Sequence, residues 1–367
     1  MAGADIQGER PALEVANRGL LTVGVMLAMV VVMLDTTVAN VALPNMQASL
    51  GATFDTVTWV LTSYIIGTAV AMPITGCLSE RISARRLFLI AVAGFIAASM
   101  ACGVATHLEE MVVYRFVQGI TGAFIAPLSQ SVMLDINVPS RQARAMSVWG
   151  MGIMIGPIMG PIIGGWLTEN YNWRWVFYVN LPVGLIAFGM IWWFLPGRPT
   201  SRRSFDLFGF AVLALALSSL QLMLDRGTDQ DWFHSTEIWI EAVLAVSAGW
   251  VFIVHLFTGK NTIISPALVT NANMITAFVF QLVVGLMMMA VMALMPPLLQ
   301  RIYGYDVLDT GLLLAPRGIG VLISMFITGR IVGKIDPRYI IACGLLIAAV
   351  SMWQMTRWSL VMGWQPL

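Results

Sequence analysis

The chain has 367 residues, of which 58% are hydrophobic and 11% charged, with a mean hydropathy of +0.82 and a formal net charge of +1. A soluble globular domain carries roughly 25% charged residues, so a water-soluble enzyme and a disordered chain are both excluded. With 20 basic against 19 acidic residues, no polyanion-binding excess exists either, and no nucleic-acid partner is expected. What remains is an all-α polytopic membrane protein embedded in the lipid bilayer.

A helix rises about 1.5 Å per residue and the hydrocarbon core is about 30 Å thick, so a span needs about 20 mostly apolar residues. In chain order this ruler predicts eleven spans, at 20–41, 58–78, 87–106, 111–134, 144–168, 174–195, 206–224, 237–257, 273–297, 311–333 and 338–358. The connections between them are too short for a soluble domain. With the N-terminus inside, fourteen basic residues fall in cytoplasmic segments and four on the opposite side. The positive-inside rule therefore places the N-terminus in the cytoplasm.

Asp35 stands deep in the first span, and Arg115 lies near the start of a span running the other way. Opposite directions place the two at similar depth, where a charge is costly unless paired or solvated. One reading is a protonatable carboxylate tuned by a cation; the other is a structural anchor reaching for the interface. Arg115, Gln118 and Gly122 share a helix face at i, i+3 and i+7. Asn40, Tyr64 and Gln118 are candidates for lining a substrate cavity. After span two, the loop Gly76-Cys77-Leu78-Ser79-Glu80-Arg81-Ile82-Ser83-Ala84-Arg85-Arg86 sets a carboxylate beside three arginines. Glu80, Arg81 and Arg85 can latch helix ends in one conformation, or simply extend the cytoplasmic charge run.

Span five carries Gly152, Gly156, Gly160 and Gly164 at four-residue spacing, with Pro157, Pro161 and Gly165 interleaved. Such a stripe admits another helix at close range, and each proline removes a backbone donor. Tight packing and a bendable functional segment are both open. Near span ends, Asp225 and Glu241 read as interfacial, while Arg317 lies inside span ten without an obvious partner.

Lys260 precedes Asn261 and Lys334 precedes Ile335, so neither lysine closes a phosphate loop. His107, His234 and His255 are isolated, and Cys77, Cys102 and Cys343 lie in apolar runs, so no metal site or disulfide is expected. Uphill transport would have to draw on a gradient.

The chain also repeats itself at an offset of 253 residues: Gly76, Leu78, Arg81, Ile82 and Arg85 correspond to Gly329, Ile331, Lys334, Ile335 and Arg338. At the same offset Pro44, Gln47 and Gly51 map onto Pro297, Gln300 and Gly304. Duplicated helical halves are a common transporter plan.

These residues together resemble the major facilitator superfamily, in its fourteen-helix drug:proton antiporter branch. The 76–86 loop is similar to the family's cytoplasmic signature, with Glu80 where Asp is typical and Ser83 where Gly is typical. Arg115-x-x-Gln118-Gly119 resembles the helix-four signature linked to proton coupling. Gly156-Pro157 and Gly160-Pro161-x-x-Gly164-Gly165 resemble the helix-five antiporter motif. Leu34-Asp35-Thr36-Thr37-Val38-Ala39-Asn40-Val41-Ala42-Leu43-Pro44 and Trp173-Arg174-Trp175-Val176-Phe177-Tyr178-Val179-Asn180-Leu181-Pro182 resemble hallmarks of the branch. Ser219–Gly227 with Asp231-Trp232-Phe233 is similar to inner-membrane subunits of tripartite multidrug pumps.

The resemblance implies a major-facilitator-type helical bundle in a bacterial inner membrane, with Asp35 and Arg115 coupling protons to export. It implies hydrophobic or cationic small molecules as substrates, with a periplasmic adaptor (membrane fusion) protein and an outer-membrane channel as partners. The proton gradient alone would supply the work, with no cofactor. The implied organisation is a cytoplasmic segment at 1–19, an N-terminal six-helix bundle at 20–195, two inserted helices at 196–258 and a partial C-terminal bundle at 259–367. Eleven spans fall three short of the family's fourteen, so a C-terminally truncated chain is expected. A carrier for an endogenous metabolite or siderophore, and an inactive truncated fragment, remain open alternatives.

Overall fold

A computed structural model describes residues 10–356, apart from 199, 201–204, 260, 261, 306, 333 and 334. The first nine residues of the expected cytoplasmic segment, Lys260, Lys334 and the stretch after Thr356 lie outside the described residues. The helices are α1 (Arg18–Ser49), α2 (Trp59–Ile82), α3 (Ala84–Val104), α4 (Leu108–Asp135), α5 (Pro139–Asn170), α6 (Trp175–Phe194), α7 (Leu207–Arg226) and α8 (Thr236–Thr258). Then come α9 (Ala272–Pro297), α10 (Val307–Ile331) and α11 (Pro337–Met355). Among the described residues, nine of these, α1–α8 and α11, are long and apolar enough to cross a membrane. The all-α polytopic fold read from the sequence is the fold that forms.

Helix starts are fixed by side chains that satisfy otherwise orphaned backbone N–H groups. Asn17 Oδ1 accepts from the Leu20 N–H at 3.1 Å to open α1, and Asp206 Oδ1 accepts from Gly209 at 2.8 Å to open α7. Asp336 caps α11 through the Arg338 N–H at 2.9 Å, with Pro337 in the first turn, where a missing donor costs nothing. The first helix outruns the expected 20–41 span, continuing through Pro44 to Ser49. It stops where Gly51 turns left-handed at φ 64°, with the Ala52 N–H reaching back to the Gln47 carbonyl at 3.1 Å.

That stop recurs 253 residues later. Gly304, at φ 74°, follows α9 and a π-helical turn over Leu298–Ile302, and the Tyr305 N–H closes it on the Leu299 carbonyl at 3.0 Å. Gly51 and Gly304 are the left-handed glycines among the described residues, and neither has an atom within 4 Å of where a Cβ would stand. The repeat thus conserves a backbone conformation that an L side chain rarely adopts.

The chain forms two compact units, one of Met1–Pro139 and Ile155–Pro266, the other of Ser140–Met154 and Ala267–Leu367. Helix α5 contributes to both. Within the first unit α2 packs along α4, α3 along α4 and α6, α1 along α6, and α7 along α8 and α2. Small residues set the separations. A Cβ on Gly67 of α2 would collide with the Phe116 carbonyl, and one on Gly119 of α4 with the Tyr64 carbonyl. Two facing glycines bring α2 and α4 backbone to backbone, and the Thr68 hydroxyl donates across the seam to the Gly119 carbonyl at 3.2 Å. Gly103 of α3 makes room for the Tyr178 ring of α6, and Gly184 of α6 for the Ile96 side chain of α3.

The second unit is described by its own contacts: Gly150 stands against Met325, and Gly329 against Ser147. Arg317, on α10, is exposed rather than buried.

Candidate functional site

The close seams of the first unit converge on one fully enclosed polar network. Asp35, in the middle of α1, has no exposed surface, and Arg115 of α4 keeps 1%. Arg115 Nη1 donates to Asp35 Oδ2 at 2.6 Å and to Gln118 Oε1 at 2.8 Å, while its Nε donates to the Val60 carbonyl at 3.2 Å. The guanidinium carbon lies 4.4 Å from the Tyr64 ring centroid and 5.7 Å from that of Phe177, so two aromatic walls hold the plane. Gln118 Nε2 returns a hydrogen bond to Asp35 Oδ1 at 2.9 Å.

Two members carry no charge and escape notice in the sequence. Asn180 of α6 donates through Nδ2 to Asp35 Oδ1 at 2.7 Å and to Ser99 Oγ at 2.9 Å. Ser99 of α3 in turn donates to the Phe177 carbonyl at 2.9 Å. Both are buried. Their only signal in the sequence is that Asn180 stands within the Trp173–Pro182 stretch; nothing there names its partner.

Towards the C-terminal end of α1 the network is covered by an apolar cluster that includes Leu34, Val38, Val60, Cys102, Met111, Trp173 and Phe177. A charge enclosed this way is tolerable only because both carboxylate oxygens meet donors, three in all. Taking up one proton would neutralise Asp35 and release Arg115 from its partner.

The other residues expected in the site fall in several places. Tyr64 and Gln118 belong to the buried network, whereas Asn40 is exposed and donates to the Thr36 carbonyl of its own helix at 3.0 Å. The α5 stripe meets α1 directly. A Cβ on Gly156 would collide with Met33, one on Gly160 with the Thr37 side chain, and one on Gly164 would stand 2.9 Å from Val38 Cγ1. Thr37 Oγ1 also donates to the Gly156 carbonyl at 3.2 Å. Since Met33, Thr37 and Val38 flank Asp35, the stripe positions the helix that carries the acid. Pro157 and Pro161 sit inside α5, and Gly152, on the same stripe, is buried in the part counted with the second unit. Gly165 has nothing within 4 Å of its Cβ position.

The stretch expected as a loop is almost all helix: Gly76–Ile82 end α2, Ser83 makes the turn and Ala84–Arg86 open α3, where Arg85 Nη2 donates to the Trp192 carbonyl at 2.6 Å and lies 5.7 Å over its ring, tying α3 to the end of α6. Gly76 has open space around it, and Glu80 and Arg81 are exposed. Ser83, standing where the family pattern has glycine, is held at φ 77° with its hydroxyl buried and unpaired. Asp225 accepts a hydrogen bond from buried Thr62 and Arg226 pairs with Glu237, which docks the end of α7 against α2 and α8. Glu241 is 8% exposed, with one carboxylate oxygen unpartnered among the described residues.

An enclosed acid–base pair inside a bundle of apolar helices defines a multi-pass membrane transporter rather than an enzyme. The chain belongs to the Major Facilitator Superfamily, whose sequence pattern matches residues 25–365. It is 37% identical over 350 residues to the multidrug export protein EmrB of Escherichia coli K12, covering 95% of this chain and 68% of that one. With the probable multidrug resistance protein EmrY of the same strain it shares 37% over 332 residues, 90% of this chain and 65% of that one. The chain thus spans about two thirds of the length of these relatives. Among solved structures, the proton:xylose symporter XylE bound to 6-bromo-6-deoxy-D-glucose superposes with a TM-score of 0.56 at 14% identity, covering 86% of this chain and 69% of that one. That likeness concerns the fold.

Proposed function

We propose that the protein is a proton-coupled exporter of hydrophobic and cationic compounds, in which Asp35 takes up and releases the coupling proton. The observation that carries this reading is the Asp35–Arg115 pair, 2.6 Å apart and enclosed among α1, α2, α3, α4 and α6. Protonating Asp35 removes one half of that pair, so the two protonation states differ in the interactions that hold α1 to α4. A substrate that binds the two conformations unequally then shares one equilibrium with the proton. Identity to multidrug export proteins supports drugs as the cargo.

The same relatives support a place in the bacterial inner membrane, and the excess of basic residues in alternate loops supports a cytoplasmic N-terminus. The likeness of Ser219–Gly227 to subunits of tripartite pumps supports assembly with a periplasmic adaptor and, through it, an outer-membrane channel. The 1–19, 20–195, 196–258 and 259–367 divisions stand as the organisation proposed for the halves and their insert.

The reading is tested in proteoliposomes with a hydrophobic cationic dye. Uphill dye movement should stop when an ionophore collapses the proton gradient. Accumulation that persists without the gradient would point to an uncoupled or differently coupled carrier.

A further inference from the structure

We propose that Asn180 is a positioning residue that turns its side-chain amide to hold Asp35 in both protonation states. This rests on the proton-coupling reading above and deepens it.

The ionised state is the one the geometry describes. Asp35 Oδ2 accepts from Arg115, while Oδ1 accepts from Gln118 at 2.9 Å and from Asn180 at 2.7 Å. Each of these partners is a donor, as a carboxylate requires. A proton arriving at Asp35 adds to Oδ1, because Oδ2 faces the guanidinium, where a positive charge is most opposed. No bond in the protein breaks in this step; one O–H bond forms, and an acceptor becomes a donor.

That new O–H needs an acceptor inside a closed site. Gln118 Oε1 is already engaged by Arg115 Nη1 at 2.8 Å and by the Cys102 thiol at 3.7 Å. The neighbouring oxygen left over is Asn180 Oδ1, which is buried and accepts no hydrogen bond among the described residues. A half-turn of the amide exchanges Nδ2 for Oδ1 at Asp35. The turn also gives up the bond from Asn180 Nδ2 to Ser99 Oγ on α3, while Ser99 keeps its own bond to the Phe177 carbonyl. From the surrounding helices, the charged or titratable groups facing Asp35 are Arg115, Tyr64 and Cys102. Each is already placed as a donor or an aromatic wall, which leaves the acceptor role to Asn180.

The turned amide leaves its two N–H groups where the unpaired oxygen stood. Unpaired donors cost more than an unpaired carbonyl, so the unturned amide is the resting one.

The test is isotope-edited infrared difference spectroscopy between high and low pH, on the protein in proteoliposomes, with asparagine labelled at its side-chain carbonyl carbon. As the Asp35 carboxyl band grows in, the Asn180 carbonyl stretch should fall in frequency as it gains a hydrogen bond. The shift should vanish in Asn180→Leu and in Asp35→Asn. The Asp35 carboxyl band of Asn180→Leu should move to the higher frequency of an unbonded acid. Asn180→Thr, whose hydroxyl both donates and accepts, should restore the bonded position. A titrating Asp35 with an unmoved Asn180 carbonyl would overturn the amide turn while leaving the proton reading intact. The absence of any Asp35 carboxyl band would overturn both.

Discussion

Arg115 Nη1 stands 2.6 Å from Asp35 Oδ2, and the two side chains expose 1% and 0% of their surface. Taking two charges out of water is expensive, and an apolar pair of similar volume would often hold the bundle as well or better. The pair is therefore better understood as a device that can be switched than as a source of stability.

Breaking the pair from one side should be costly. Arg115→Met strands an enclosed carboxylate and should lower unfolding stability by about 3–5 kcal/mol, read from melts in detergent. The double variant Asp35→Leu with Arg115→Met should lose less than the sum of the two single changes. Additive losses would show that the two residues act independently.

The α5 stripe makes a graded prediction. A methyl at Gly160 has no room beside Thr37, so Gly160→Ala should cost about 1–3 kcal/mol by overpacking and should weaken transport by displacing α1. At Gly165 the same change meets nothing within 4 Å and should be neutral or slightly stabilising, by up to about 1 kcal/mol of helix propensity. Equal effects at the two positions, measured by melting and by dye transport, would refute the packing role.

Ser83 offers a stabilising change. It holds φ 77° between α2 and α3 with a buried, unpaired hydroxyl. Ser83→Gly should raise stability by roughly 1–3 kcal/mol, since backbone strain and an unsatisfied group are relieved together. A lower melting temperature in Ser83→Gly would show that the hydroxyl has a role of its own.

Gly51 and Gly304 test the repeat. Their left-handed φ angles make Gly51→Ala and Gly304→Ala each cost about 1–2 kcal/mol despite the open space around both. A near-neutral result at either site, in the same melts, would separate the two halves at this turn.

Charge made half of the site legible from residues alone. Asp35 and Arg115 stand out because ionised groups at membrane depth need a reason to be there. Asn180 and Ser99 do not, because a neutral polar side chain inside a span carries no depth signal. Their partnership depends on how closely Gly103 and Gly184 let α3 and α6 approach. The glycines of α5 were visible as a stripe, but a stripe cannot name the face it meets, and Thr37 emerges only from packing. Asn40 lies five residues beyond Asp35, about 140° around the helix, which explains why it points away from the network.

The most direct measurement follows substrate-driven proton release from the protein reconstituted in vesicles, wild type beside Asp35→Asn. Asparagine keeps the size and the hydrogen-bonding capacity of the site but cannot carry a proton. Release should be lost in the variant while dye binding persists. Proton release at the wild-type level in Asp35→Asn would contradict the assignment of Asp35 as the coupling carboxylate.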